Sequence, residues 1–110
     1  MSQAGQILFV KTDYKIVKVV PGDILYIEGL KEYIAIHTSQ GKVITLQTMK
    51  KMEEVLPRSQ FIRVHKSFIV AIDKIDSIER NRIFIKKNII PIGDTYRDSF
   101  LKLLDQKNLL

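Results

Sequence analysis

The stretch FIRVHKSFIVAID, residues 61–73, places polar side chains inside an apolar run. Arg63, His65, Lys66 and Ser67 interrupt phenylalanine, isoleucine and valine residues that are typical of a buried strand. These residue types allow three kinds of chemistry. They could form a histidine-activated serine nucleophile, contribute to a metal site, or donate hydrogen bonds to an acidic partner.

Side chains alternate between the two faces of a strand, and this alternation isolates Lys66. The even positions of 62–72 are otherwise apolar, whereas the odd positions include Arg63, His65 and Ser67. We therefore predict one core face and one polar face. Because a lysine is costly to bury without a partner, we expect the strand to bend or end near Lys66. A loop or a sheet end is where ligand contacts are usually carried.

Catalysis and metal binding have little support in the sequence. Two residues apart on one strand, His65 and Ser67 would lie about 6.5–7 Å apart, well beyond the roughly 2.6–3.2 Å that a general base needs. The chain has two histidines and no cysteine, so a metal site is also not indicated. His37 and His65 are expected to be structural or ordinary surface residues. We predict no enzyme activity, no metal and no cofactor.

The charge distribution is compatible with an acidic partner but does not by itself decide for one. The net charge is +6, and residues 58–87 hold eight basic against three acidic side chains, which is five of the six net charges. Such an excess attracts polyanions, although it also keeps a small domain soluble. Lys66 and Ser67 can donate to phosphate, and Arg63 or Lys66 can donate to a guanine edge.

Apolar residues recur mainly with period two, which predicts a mostly β, antiparallel domain. The predicted strands are 7–11, 15–20, 24–29, 33–38, 42–47, 61–64, 67–70, 75–80, 83–87 and 89–92. A short internal helix is predicted at 48–56, capped by Thr48, and a C-terminal helix at 95–106, where Thr95 and Asp98 have capping-box spacing. We expect one domain at 7–107 after an N-terminal linker at 1–6. No signal peptide or membrane-length apolar run is visible, so we expect a soluble, cytoplasmic chain.

The order of these segments resembles the LytTR family of bacterial DNA-binding domains. FIRVHKSFIVAIDKIDSIERNRIFI followed by IIPIGDTYRDSFLKLL is similar to the family's Arg-Val-His-(Arg/Lys/Asn)-Ser-(Phe/Tyr) core and its downstream Ile-Pro segment. DILYIEGLKEYIAIHT is similar to its upstream strand, and the likeness runs over about 7–105. The resemblance implies a LytTR-like β-sandwich that acts as the output domain of a response regulator. Such domains bind repeated promoter elements in double-stranded DNA through loops rather than a recognition helix.

The resemblance also implies partners and contacts. A receiver domain usually precedes this domain and is not in the chain, so we expect a C-terminal fragment of a longer regulator, with a homodimer on DNA as a further expectation. The family's reading position after the motif histidine is Lys66 here, and Ser67 follows it. A loop contact falls at Lys31 to Tyr33. For Arg63, a DNA contact and a pairing with a nearby carboxylate stay open.

The chain departs from the family pattern at two places, and the first of them is the remaining contact. The family usually has a Ser-Arg-like pair after the Ile-Pro strand, where this chain has Gly93-Asp94. We expect Thr95 and Arg97 to substitute, because a helix start favours an anion. Ala71 replaces a common asparagine.

Two other functions remain open from the residues. One is a small β module that binds a protein or ligand without nucleic acid. The other is a single-stranded nucleic-acid binder of the oligonucleotide-fold type, which needs exposed stacking aromatics. A duplex binder requires that its basic and hydroxyl-bearing side chains converge on one surface.

Overall fold

The computed structural model describes residues 6–110, in which ten β-strands and two α-helices follow one another. The strands are β1 (Leu8–Lys11), β2 (Ile16–Val19), β3 (Ile24–Gly29), β4 (Ile34–Thr38), β5 (Gly41–Thr45), β6 (Phe61–His65), β7 (Phe68–Ala71), β8 (Ser77–Glu79), β9 (Arg82–Ile85) and β10 (Asn88–Pro91). The helices are α1 (Met49–Val55) and α2 (Asp94–Gln106). Within the described range, no helix is long and apolar enough to cross a membrane.

The strands form three antiparallel sheets. The central sheet has the order β5-β4-β3-β7-β6, while β1-β2 is a two-stranded sheet and β10-β9-β8 a three-stranded one. Strand β3 lies in the middle of the central sheet and is buried along most of its length. Because β3 pairs with both β4 and β7, the connections that leave these strands come close together at the end of the sheet where β3 stops.

Both faces of the central sheet are covered. On one face, Ile27 and Ile69 pack with the β1–β2 hairpin and with Met52 of α1. On the other face, Val64 and Val70 pack with the β8–β10 sheet and α2. A bulge between Ile24 and Tyr26 lets both Leu25 and Tyr26 join this second cluster, although they are neighbours in the chain. The sheet is thus the middle layer of a β-sandwich with helices at its borders.

The predicted mostly β fold with two helices is confirmed, and most element bounds differ by one or two residues. Thr48 caps α1 as expected, since its hydroxyl accepts a hydrogen bond from the Lys51 amide at 3.0 Å. The capping box predicted from Thr95 and Asp98 is wrong. Helix α2 begins one residue earlier, at Asp94, with Gly93 as its N-cap.

The expectation of a single core face over 61–72 is also wrong. Phe61, Ile69 and Ala71 occupy odd positions and are buried, like Val64 and Val70 at even positions. The pattern of one strand cannot show that a second layer covers its other face. The polar character of the odd positions is confined to the few residues around the turn between β6 and β7.

Phe100 gives a test of the packing of α2. Its side chain is fully buried in the second cluster, so Phe100→Ala should lower the free energy of unfolding by about 3–5 kcal/mol. The matched control is Leu101→Ala on the same helix, because Leu101 is 42% exposed and its truncation should cost about 0.5 kcal/mol or less. Urea unfolding measures both. Equal losses for the two variants would contradict the packing described here.

Candidate nucleic-acid interface

Two turns meet at the end of the central sheet where β3 stops. The turn between β3 and β4 is closed by a hydrogen bond from the Leu30 amide to the Tyr33 carbonyl, at 2.8 Å. The Gly29 amide donates to the Ser67 carbonyl at 2.7 Å, which joins this turn to the one between β6 and β7. A Cβ on Gly29 would lie 3.2 Å from Cγ of Met49, which is a tight contact, and 3.5 Å from the Ser67 Cα, which is an ordinary one. The backbones of the two turns are therefore in direct contact.

The start of α2 is the third segment at this end. The Gly93 amide donates to the Val64 carbonyl at 2.7 Å, which places the helix start beside the end of β6. A Cβ on Gly93 would lie 3.4 Å from Cδ2 of His65 and 3.3 Å from the Tyr96 ring. The helix start is thus in contact with His65, and all three predicted contact segments share one end of the molecule.

Lys66 lies where the sequence indicated that the strand would end. Strand β6 ends at His65, Lys66 and Ser67 form the turn, and β7 begins at Phe68. The pairing of β6 with β7 is irregular between Arg63 and His65, so the strand bends just before the turn. Lys66 is exposed, and a lysine in an apolar register therefore avoids burial.

The two polar neighbours of Lys66 organise the turn. The Ser67 amide donates to Nδ1 of His65 at 3.0 Å, which requires the proton of the neutral ring to be on Nε2. The edge of the His65 ring meets Phe68, with 5.6 Å between the ring centroids. His65 is thus a hydrogen-bonded structural residue, as one of the sequence interpretations had it. Its bond to residue 67 involves the backbone amide and not the serine hydroxyl.

Arg63 is used inside the chain. Its guanidinium donates to Oε1 of Glu53 at 2.8 Å, to the His65 carbonyl at 3.3 Å and to the Lys66 carbonyl at 2.5 Å. It also lies over the Tyr96 ring, 5.7 Å from the centroid. Of the two roles left open for Arg63, pairing with a carboxylate is what the structure shows. Arg63 thus links α1 and α2 to the backbone carbonyl of Lys66.

The other predicted contact residues are accessible. Lys31 is exposed and Tyr33 is 43% exposed, both in the β3–β4 turn. Thr95 and Arg97 are exposed in the first turn of α2. Exposed carboxylates accompany these donors, namely Glu32 in the β3–β4 turn and Asp94 and Asp98 at the start of α2.

A further turn at this border was not assigned from the sequence. The Ile92 amide donates to the Asn81 carbonyl at 2.9 Å, which brings the β8–β9 turn next to Gly93. Arg80 in this turn is exposed and has a positive φ of 59°. The predicted strands 75–80 and 83–87 left residues 81 and 82 as the turn, which is one residue too late, because Arg82 already belongs to β9. Arg80 is one of the eight basic residues counted in 58–87. Its place beside the other turns could not be predicted from the sequence, because it depends on how the β8–β10 sheet packs.

Several other candidates lie away from this end. Lys74 donates to the Gly22 carbonyl at 2.6 Å, near the opposite end of β3, so the basic excess of 58–87 is divided between two regions. Ala71 is buried in the first cluster, which makes its departure from the family pattern a matter of packing.

His37 stacks on Tyr26 and lies 3.0 Å from Glu28. Burial, with a smaller effect of the Glu28 carboxylate, raises the pKa of Tyr26. No cluster of three metal-ligating side chains occurs among residues 6–110.

Comparison with known proteins agrees with this architecture. The model of the LytTr DNA-binding domain family matches residues 14–105. The chain belongs to the LytTr DNA-binding domain family. The family and the DNA-binding domain predicted from the sequence are thereby confirmed, and the family is a DNA-binding family rather than a family of enzymes.

Relatives and a solved structure support the membership. The sensory transduction protein LytT of Bacillus anthracis is 31% identical over 88 residues, which is 74% of this chain and 36% of the relative. LytT of Bacillus subtilis is 33% identical over 110 residues, 94% of this chain and 46% of the relative. The chain spans less than half the length of these relatives. The LytTr domain of a methyl-accepting/DNA response regulator from Bacillus cereus has the same fold, with a TM-score of 0.81, 23% identity, and coverage of 89% of this chain and 95% of that one.

The position of Arg63 in this LytTr domain gives a test of the turn. Arg63→Lys keeps the charge but loses the planar fork that reaches the His65 and Lys66 carbonyls. We expect it to lower the free energy of unfolding by about 1–2 kcal/mol and to speed exchange of the Ser67 and Phe68 amides. Glu53→Gln is the control, because it removes only the surface ion pair and should cost about 0.2–1 kcal/mol. If Arg63→Lys left amide exchange in the turn unchanged, the arginine would not hold the turn.

Proposed function

We propose that this LytTr domain is the sequence-specific, double-stranded DNA-binding output domain of a bacterial response regulator. The observation that carries the proposal is the convergence of the β3–β4 turn, the β6–β7 turn and the start of α2 at one end of the central sheet. Each of these segments carries exposed cationic or hydroxyl-bearing side chains. A duplex binder needs such a surface, whereas a module that is basic only for solubility does not.

Short turns are suited to this task. A turn of two residues presents side chains at the tip of two paired strands, so it can enter a groove where the sheet itself cannot. We propose that Lys66 donates to a guanine edge or a phosphate and that Ser67 donates to a phosphate. Lys31 and Tyr33 contact the sugar–phosphate backbone of the DNA beside the position that Lys66 contacts. Thr95 and Arg97 bind a phosphate near the positive end of the α2 dipole.

Arg63 has a different role in this proposal. Its guanidinium donors are directed to Glu53 and to the carbonyls of His65 and Lys66, so it positions the turn and does not read DNA. Asp94 repels phosphate in its vicinity, and Arg97, three residues further along the helix, offsets this repulsion. The contact made by the α2 start is therefore weaker than that of the β6–β7 turn.

The wider setting follows from the same assignment. We propose that the domain comprises 7–107, preceded by a linker at 1–6, most of which lies outside the described residues. It acts in the cytoplasm, beside the bacterial chromosome, and without catalysis of its own. Its partners are promoter repeats, a second copy bound to the neighbouring repeat, and a receiver domain elsewhere in a longer regulator. The length of the curated relatives supports this last point.

The salt dependence of binding tests the proposal. A genome-scale selection with the purified domain yields a 30-base-pair probe, the duplex that binds most tightly. With about 3–5 phosphate contacts, its affinity should fall roughly 40- to 500-fold between 50 and 200 mM salt. Fluorescence anisotropy measures the slope. A selection that enriches no duplex, or a flat salt response, would favour the small β module that binds no nucleic acid.

Lys66→Ala tests the proposed reading residue. The variant should weaken binding to the selected duplex by about 1–3 kcal/mol without a change in melting temperature, because Lys66 is exposed and makes no core contact. Lys42→Ala is the control. Lys42 is also exposed and carries the same charge, but it pairs with His37 near the opposite end of the central sheet. Equal losses for both variants would mean that net charge, and not position, determines binding.

A further inference from the structure

The tip of the β1–β2 hairpin lies at the same end of the molecule as the proposed DNA-binding turns. The Thr45 hydroxyl donates to the Lys11 carbonyl at 2.6 Å, where β1 ends. Thr45 pairs with Ile34, the first residue of β4 after the Leu30–Tyr33 turn. The residues between β1 and β2 therefore extend past the end of β5, next to that turn.

An open groove separates the two segments. It has a volume of about 670 Å³, and its walls include Lys11 and Tyr14 from the hairpin and Leu30 and Tyr33 from the β3–β4 turn. The groove floor is formed by the end of β5, including Ile44. Tyr33, which we propose to contact DNA, thus lines one wall of the groove. The opposite wall is the β1–β2 hairpin tip, to which no function has yet been assigned.

The tip is held in place by its own hydrogen bonds. The Thr12 amide donates to the Lys15 carbonyl at 2.8 Å, and the Thr12 hydroxyl donates to the same carbonyl at 3.0 Å. Lys11 and Ile16 pair on either side of the tip. A tip that is already ordered loses little conformational entropy when it binds a partner.

The side chains at the tip combine an aromatic ring with positive charge. Tyr14 is 93% exposed, and Lys11 and Lys15 are exposed on either side of it. Asp13 is the single acidic residue of the tip. Burial does not explain this tyrosine, because its ring contributes nothing to either core cluster. Lysines that flank an exposed ring match the chemistry of a sugar–phosphate backbone, which offers anionic oxygens and an apolar sugar face.

We infer that the hairpin tip is a fourth DNA contact, an inference that rests on the proposed function. Lys15 and Lys11 donate to phosphates, and Tyr14 packs on a deoxyribose of the flanking duplex. DNA is favoured over a protein partner because the tip is basic and shares a groove with Tyr33 of the proposed interface. The family match begins at residue 14, so it includes Tyr14 and Lys15 but neither Lys11 nor β1.

We place the duplex axis across the strands, along the row of turns, and this orientation determines the position of the contact on DNA. Strand β5, beside the tip, is separated from β7, beside Lys66, by three strand spacings. At roughly 4.8 Å per spacing the separation is about 14 Å, and at 3.4 Å per base pair this corresponds to about four base pairs. The tip should reach the phosphates about four base pairs outside the position that Lys66 reads.

The experiment compares hairpin variants on two duplexes. One is the selected 30-base-pair probe, and the other is the same probe shortened so that the flank beyond Lys66 is missing. On the long duplex, Lys15→Ala should weaken binding about three- to tenfold and reduce the salt slope by about 0.9, the value for one phosphate contact. Tyr14→Ala should also weaken binding, whereas Tyr14→Phe should keep it, because the ring and not the hydroxyl packs on the sugar. On the shortened duplex, all variants should bind like the unmodified domain.

Lys18→Ala is the matched control, since Lys18 is exposed on the same hairpin but lies within β2, away from the tip. Melting temperatures confirm that the variants are folded. If the unmodified domain binds the long duplex and the tip variants bind it equally well, or if Lys18→Ala is as harmful as Lys15→Ala, this inference is overturned while the proposed function stands. If the unmodified domain binds neither duplex, the proposed function itself fails.

Discussion

The arrangement of the interface depends on one backbone hydrogen bond, from the Gly93 amide to the Val64 carbonyl. It connects the central sheet to the segment that enters α2, and it does so next to the turn that carries Lys66. Val64 is fully buried, so the bond forms at the border of the second core cluster and not in solvent. Competition from water is low there, and an unpaired carbonyl would be costly. The position of α2 relative to the β6–β7 turn is therefore a consequence of the core.

Stability and recognition use different residues in this domain. The two core clusters are built from aliphatic and aromatic side chains on both faces of the central sheet. The residues proposed to contact DNA lie at the end of the sheet and are largely exposed. Arg63 connects the two groups. It is partly buried against Tyr96, yet its donors end on the carbonyls of the turn.

Much of the fold was predictable from the sequence, because isoleucine and valine alternate in short segments separated by turn residues. The end of β6 was predictable for a different reason, namely that Lys66 does not fit an apolar register. The internal bonds of Arg63 were not predictable. They depend on Glu53, ten residues away on α1, and on how that helix packs. Burial on the second face of β6 and β7 was missed, because the alternation of apolar and polar residues within one strand does not show whether another layer covers its second face. The start of α2 was misplaced because its N-cap is Gly93, which has no side-chain cap, so the spacing of Thr95 and Asp98 did not mark the helix start.

The Lys66–Ser67 turn is short. Its carbonyls accept hydrogen bonds from Gly29 and Arg63, and its Ser67 amide donates to the His65 ring. These bonds involve main-chain atoms of the turn, so they do not depend on which side chain residue 66 carries. If Lys66 reads bases as proposed, an exchange at this position alters the preferred base pair while the scaffold stays intact. Under the same proposal, paralogous regulators acquire distinct operators through single exchanges, without a period of impaired folding between them.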